Sequence, residues 1–139
     1  MSVHRVAVVH TSILATPKSV IAFLTDMDNW KTWAPWVRSV TRLSEGGWRL
    51  ETKDGAMTIR FVEQNSFGVL DHQVTVASGV IVLNAMRVVP NGSGSELVMV
   101  VIQSPEMSAK QFDQDVQAVT DDFARLKPAA EAYSSELGG

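Results

Sequence analysis

The stretch SAKQFDQDVQAVTDDFARLKPAAEAY, residues 108–133, carries the pattern that decides the architecture of this chain. Phe112, Val116, Val119, Phe123, Leu126, Ala130 and Tyr133 recur alternately four and three residues apart, one apolar stripe along a long α-helix. Ser108 can cap that helix, and Asp113, Asp115, Asp121 and Asp122 lie off the stripe, where they are expected to face water. Pro128 falls inside the pattern and predicts a kink or a loosened last turn. A stripe this long needs a large opposing surface, which the rest of the chain has to supply.

Residues 37–104 supply it. Gly46-Gly47, Asp54-Gly55 and NGSG at 91–94 are hairpin connectors between runs of strand-like residues. Trp48 and Leu50 alternate with Arg49 and Glu51, and Met57, Ile59 and Phe61 alternate with Thr58, Arg60 and Val62. VIVLNAMRVV, residues 80–89, is apolar on both faces and calls for cover by protein, partner or ligand. Upstream, Val3–Ala15 reads as a strand, Thr16 and Pro17 open a short helix bearing Val20, Ile21, Phe23 and Leu24, and a second short helix or turn follows until Pro35. The fold class is therefore α+β: a curved antiparallel sheet of six to seven strands wrapped around a long C-terminal helix, with two short helices after the first strand. Length predicts a single domain over residues 1–139, with 134–139 as a frayed tail.

Composition excludes several functions. With 45% apolar residues, 19% charged residues, net charge −3 and no Lys/Arg cluster, nucleic acid is not the expected partner. Cysteine is absent, which removes disulfides and thiolate chemistry. No apolar run approaches the roughly 18 residues of a membrane span, so no stable membrane insertion is expected. The opening MSVHRVAVVHTSILA lacks a signal-peptide layout, which makes a cytoplasmic location the expectation. His4 and His10 lie about 20 Å apart on a strand at ~3.3 Å per residue, so neither a metal nor another cofactor is expected. Neither a nucleophile elbow nor a phosphate-binding glycine loop is present.

Polar residues inside apolar strands are the candidates that remain. Strict alternation puts Leu70, His72, Val74 and Val76 on one face. If that face is concave, His72 can hydrogen-bond a ligand or act as a general base; otherwise it is a satisfied core or surface histidine. Asn84 either orients a ligand or serves a bulge or dimer contact. Arg60 and Arg87 read as outer-face charges, Arg87 alternatively as the mark of a carboxylate-bearing ligand, and Asp71 as a solvated strand residue. Met57, Phe61, Met86, Met99, Phe112 and Phe123 hold core-pattern positions, with methionine suited to walls that meet varied apolar molecules.

The segment SILATPKSVIAFLTDMDNWKTWAPWV, residues 12–37, followed by strands and a long helix, resembles the START-like (SRPBCC, polyketide cyclase/dehydrase) superfamily with its helix-grip fold. The matching elements are Ala15-Thr16-Pro17-Lys18-Ser19-Val20 with Phe23, then Asp26 or Asp28 through Trp30, Trp33, Pro35 and Val37. The resemblance implies an apolar cavity between sheet and helix that takes lipids, isoprenoids or polyketide-like molecules. It places Trp33 in the core as a structural anchor, Trp36 at the cavity mouth, and Trp30 in the more exposed position, since a regular helix would keep the three rings from sharing one groove. The implied lining is Trp36, Met57, Ile59, Phe61, His72, Asn84, Met86, Met99, Phe112, Val116, Val119 and Phe123. Two functions follow: non-catalytic binding or transport of a hydrophobic small molecule, or a small cyclase, dehydratase or aromatase with His72 as acid/base. A homodimer is the further expected partner relation, through residues 80–89 and the Trp segment.

Overall fold

Thr16 begins the helical part of the chain: its hydroxyl accepts the Ser19 N–H at 3.3 Å, and Pro17 occupies the first helical position. The computed structural model describes residues 2–137. Strand β1 (Val6–Ile13) leads into helix α1 (Pro17–Thr25) and a 3₁₀ helix (Met27–Thr32). Six strands follow: β2 (Ser39–Arg42), β3 (Trp48–Thr52), β4 (Gly55–Phe61), β5 (His72–Thr75), β6 (Ile81–Asn91) and β7 (Gly94–Ile102). Helix α2 (Ala109–Glu136) completes the chain. All neighbouring strands are antiparallel, in the order β1-β7-β6-β5-β4-β3-β2. The seven-stranded curved sheet with its long C-terminal helix is the α+β architecture expected from the pattern.

Glycine makes the tightest part of this sheet possible. Gly68 has φ of +76°, and a Cβ there would stand 2.1 Å from the Val88 carbonyl oxygen. That approach lets residues 68–70 run on beside β6, with Val88 N–H to the Gly68 carbonyl at 2.9 Å and Leu70 N–H to the Met86 carbonyl at 2.9 Å. Strand β6 changes partners along its length: Ile81–Asn84 pairs with β5, whereas pairing with β7 begins at Ala85. Val80, Ile81, Val82 and Leu83 are exposed, whereas Met86 and Val88 are buried, so the described chain covers one face of the second half of this doubly apolar stretch and leaves the first half uncovered.

Helix α2 opens on a full capping box, Ser108 with Gln111. Phe112, Phe123, Leu126 and Ala130 of its stripe are buried, and the helix packs against β1 and α1. One sequence expectation changes here. The helix continues through Pro128 to Glu136, so Ser134–Glu136 form its last turn rather than a frayed tail, and Ser134 is buried. Gly138 and Gly139, the end of that expected tail, lie outside the described residues.

The tryptophan segment also departs from expectation. Trp30 is only 4% exposed, and its indole N–H donates to the Leu24 carbonyl at 2.8 Å, closing the C-terminal end of α1. The cause is that the segment is not one regular helix: the 3₁₀ turn ends at Thr32, Trp33 leaves it with φ −133° and ψ −18°, and Trp36 follows Pro35. Trp30 and Trp33 meet at a tilt with ring centres 4.9 Å apart, and Trp36 meets Trp30 edge-on at 6.2 Å. Trp33 is buried as well. Replacing Trp30 by Ala removes a buried ring and orphans the Leu24 carbonyl, and should cost at least ~3 kcal/mol in chemical denaturation. An unchanged midpoint would show that the ring carries no structural role.

Candidate ligand cavity

Cross-strand register builds the polar floor of the site. Phe61, His72 and Asn84 are direct partners across β4, β5 and β6, so their side chains share one face of the sheet. His72 is 4% exposed. Its Nδ1 lies 2.9 Å from the Leu70 carbonyl oxygen, an acceptor only, so Nδ1 carries the proton. The lone pair is thereby left on Nε2, and the Asn84 amide approaches it at 3.4 Å. Burial pushes the imidazole pKa below its ordinary value, against the opposing pull of the Leu70 hydrogen bond and the neighbouring Asp71 carboxylate. The result is a neutral imidazole of defined tautomer, flanked by Phe61 at 5.0 Å and by the Trp30 ring at 6.4 Å.

Above this row lies a cavity of about 540 Å³ between the sheet and α2. It brings together Trp36, Met57, Ile59, His72, Asn84, Met86, Met99, Val119 and Phe123 from the expected lining, with Trp33 in the same wall. Three expected residues lie elsewhere. Phe61 packs on His72 and lines a separate recess of about 270 Å³ beneath α1. Phe112 is buried near the start of α2, with the Arg5 guanidinium 4.9 Å from its ring centre. Val116 is half-buried against the core. A stripe on a long helix touches different neighbours along its length, and only the segment around Val119 and Phe123 borders the open space.

The cavity opening also borders three of the aspartates that the pattern assigned to water; Asp115 and Asp121 remain exposed as expected, and Asp122 is half-buried. Asp115, Asp121 and Asp122 stand in its wall, together with Trp30, Val74 and Arg125. Asp122 accepts from the Trp36 indole at 3.2 Å and from Arg125 at 2.6 Å, and Arg125 also donates to the Trp33 carbonyl at 3.1 Å. Partial burial raises the Asp122 carboxyl above its usual range despite the hydrogen bonds from Arg125 and Trp36, and burial raises Asp115 too. The sequence signal was available: these aspartates flank the apolar stripe at one turn's distance, and a helix bordering a cavity is partly shielded on its flanks.

The remaining candidates are accounted for outside the cavity. Arg87 is on the outer side, donating to Asp71 at 3.0 Å, so it marks no ligand carboxylate. Asp71 also accepts the Met86 N–H at 3.0 Å, and the Arg87 hydrogen bond holds its carboxyl below the usual range. Arg60 is exposed and donates to the Gly46 carbonyl at 3.3 Å. Among the described residues, no group of three or more His, Cys, Asp or Glu side chains is placed to hold a metal, and no helix is long and apolar enough to cross a membrane.

A curved antiparallel sheet closed by a long C-terminal helix over an apolar cavity defines the helix-grip class. Within that class the chain belongs to the polyketide cyclase / dehydrase and lipid transport family, whose model matches residues 4–131. Solved structures with the same fold include protein CV1439 from Chromobacterium violaceum, 16% identical, TM-score 0.73, covering 91% of this chain and 97% of that one. The Aha1 dimer from Colwellia psychrerythraea is 14% identical with TM-score 0.68, covering 91% and 96%. The di-domain ARO/CYC BexL from the BE-7585A biosynthetic pathway is 14% identical with TM-score 0.66, covering 95% of this chain and 50% of its own. Identities this low establish the fold alone. No protein of curated function matches the sequence significantly.

The state of His72 has a measurable consequence. The folded state keeps its imidazole neutral at pH values where the unfolded chain, titrating near 6.5, already takes up a proton. Its contribution to stability is therefore complete above that value and is lost as pH falls through the lower folded pKa. Asp115 and Asp122 act with the opposite sign in a window that opens at 3.8, because their raised pKa values favour the protonated folded form. The melting temperature should thus fall between about pH 7 and 5, and His72→Gln should flatten that decline. A decline of the same slope in the variant would assign it to other groups.

Proposed function

We propose that this chain binds a hydrophobic small molecule, of lipid, isoprenoid or polyketide-like character, in the cavity between the sheet and α2, without transforming it. The observation that carries the reading is the cavity itself: about 540 Å³ of space walled by tryptophan, methionine, isoleucine and phenylalanine in a domain of only 139 residues. A mainly apolar concavity of this size, open to solvent on one side and walled by adaptable methionines, is the form a ligand site takes. Membership of a family that includes lipid transport supports the same reading. Native mass spectrometry with a lipid and isoprenoid panel tests it. Val119→Trp, which fills the cavity from α2, should weaken the best ligand at least ~10-fold while leaving the fold intact. Equal affinity in this variant would place the ligand elsewhere.

A second reading has its own support. A neutral imidazole held by Leu70 at Nδ1, with Nε2 facing Asn84 and the cavity, has the arrangement of a general base. On this reading the chain is a small cyclase, dehydratase or aromatase acting on a polyketide-like substrate, a class that the family description also includes. His72→Ala should then lower turnover of such a substrate by ~10²–10⁴-fold with little change in its binding. Turnover that survives the substitution would remove the catalytic reading and leave the binding one.

A further inference from the structure

We infer that the preferred occupant of the cavity is an amphiphile with a positively charged nitrogen head, held at the rim by Asp115, Asp122 and the Trp36 ring, and that apolar carboxylates are disfavoured. This inference rests on the binding reading above. The apolar wall says that the body of the ligand is hydrophobic; the polar groups at the rim say what its head is.

Those groups are mostly anionic. Asp115, Asp121 and Asp122 line the α2 side of the opening, and Arg125 is the single cationic side chain in the lining. Arg125 is already committed to Asp122 at 2.6 Å and to the Trp33 carbonyl at 3.1 Å. Arg87 is spent on Asp71. A ligand carboxylate would therefore meet carboxylates, with no free guanidinium to receive it. Asp115 has no hydrogen-bond or ionic partner among the described residues; it is exposed at the rim, and the partial loss of water around it raises its carboxyl. A cation placed there relieves that cost instead of adding to it.

The aromatic arrangement points to the same chemistry independently. Trp36 is tethered to Asp122 through its indole N–H, which fixes a large ring beside a carboxylate at the edge of the cavity. Trp30 and Trp33 continue the aromatic wall inward. Indole faces attract cations, and alkylated ammonium groups, weakly hydrated and apolar at their surface, are the cations best suited to such walls. Within the same wall the Trp33 indole N–H is buried without an acceptor among the described residues. That nitrogen is closed off from the cavity as well as from solvent, so the occupant meets the ring and not this donor.

Titration calorimetry with three probes of one chain length, decyltrimethylammonium, decanol and decanoate, separates the possibilities at neutral pH and low salt. The expected order is the ammonium about tenfold tighter than the alcohol, and the alcohol tighter than the carboxylate. Asp115→Asn, which breaks no contact, should cut the ammonium preference several-fold and leave decanol unchanged, and added salt should do the same. Equal binding of all three probes, or tightest binding of decanoate, would overturn the charge inference and leave the cavity reading standing. An ammonium preference undiminished in both Asp115→Asn and Asp122→Asn would also overturn it. If no probe binds, the binding reading itself fails, and this inference with it.

Discussion

One helix cannot cover a seven-stranded sheet. An α-helix with its side chains is about 10–12 Å across, whereas seven strands at ~4.8 Å spacing span nearly three times that width. Helix α2 lies against β1 and α1, toward one edge of the strand order, and buries Phe112, Phe123, Leu126 and Ala130 there. The concave face of β4 to β6 is left to be closed by something else. The 3₁₀ segment supplies part of that closure through its tryptophans, and the remainder is the cavity.

The electrostatic character of the cavity follows from the same geometry. Strand pairing places His72 between Phe61 and Asn84, and a backbone carbonyl two residues away holds its proton on Nδ1. Burial then keeps the ring neutral. On the opposite side, the flank of α2 borders the cavity wall, which half-buries Asp122 and raises its carboxyl, while Asp115, also raised, stays exposed at the rim. A neutral acceptor at the floor and carboxylates at the rim are thus consequences of where the sheet curves away from the helix. The stretch Val80–Leu83 lies outside this closure: β6 pairs with β7 only from Ala85 onward, and the side chains before it stand in solvent.

The legible parts of the fold were those with local causes. The spacing from Phe112 to Tyr133, the Thr16-Pro17 and Ser108 caps, and the glycine hairpins each rest on a few neighbouring residues, and each appears in the structure. The errors came where a local rule met a tertiary alternative. Trp30 was read as exposed because α-helical geometry was assumed; the tighter 3₁₀ turn, closed on the Leu24 carbonyl, rotates its ring inward. The frayed tail expected from Ser134 onward instead continues α2 to Glu136, with Ser134 buried. Phe61 and Phe112 obey the apolar pattern but pack against His72 and beneath Arg5, because a pattern identifies a face and not what lies opposite it.

By itself the sequence determined the order of elements, the sheet-on-helix class and the family, since periodicity, capping and turn residues act over short distances. Only the tertiary structure decided where the sheet and helix part company, and with that which residues border open space. It set the tautomer of His72 through the Leu70 carbonyl, committed Arg125 and Arg87 to internal carboxylates, and turned the solvated flank of α2 into an acidic rim. These are properties of groups that meet across long chain separations, such as Trp36 with Asp122, and no local pattern encodes such a meeting.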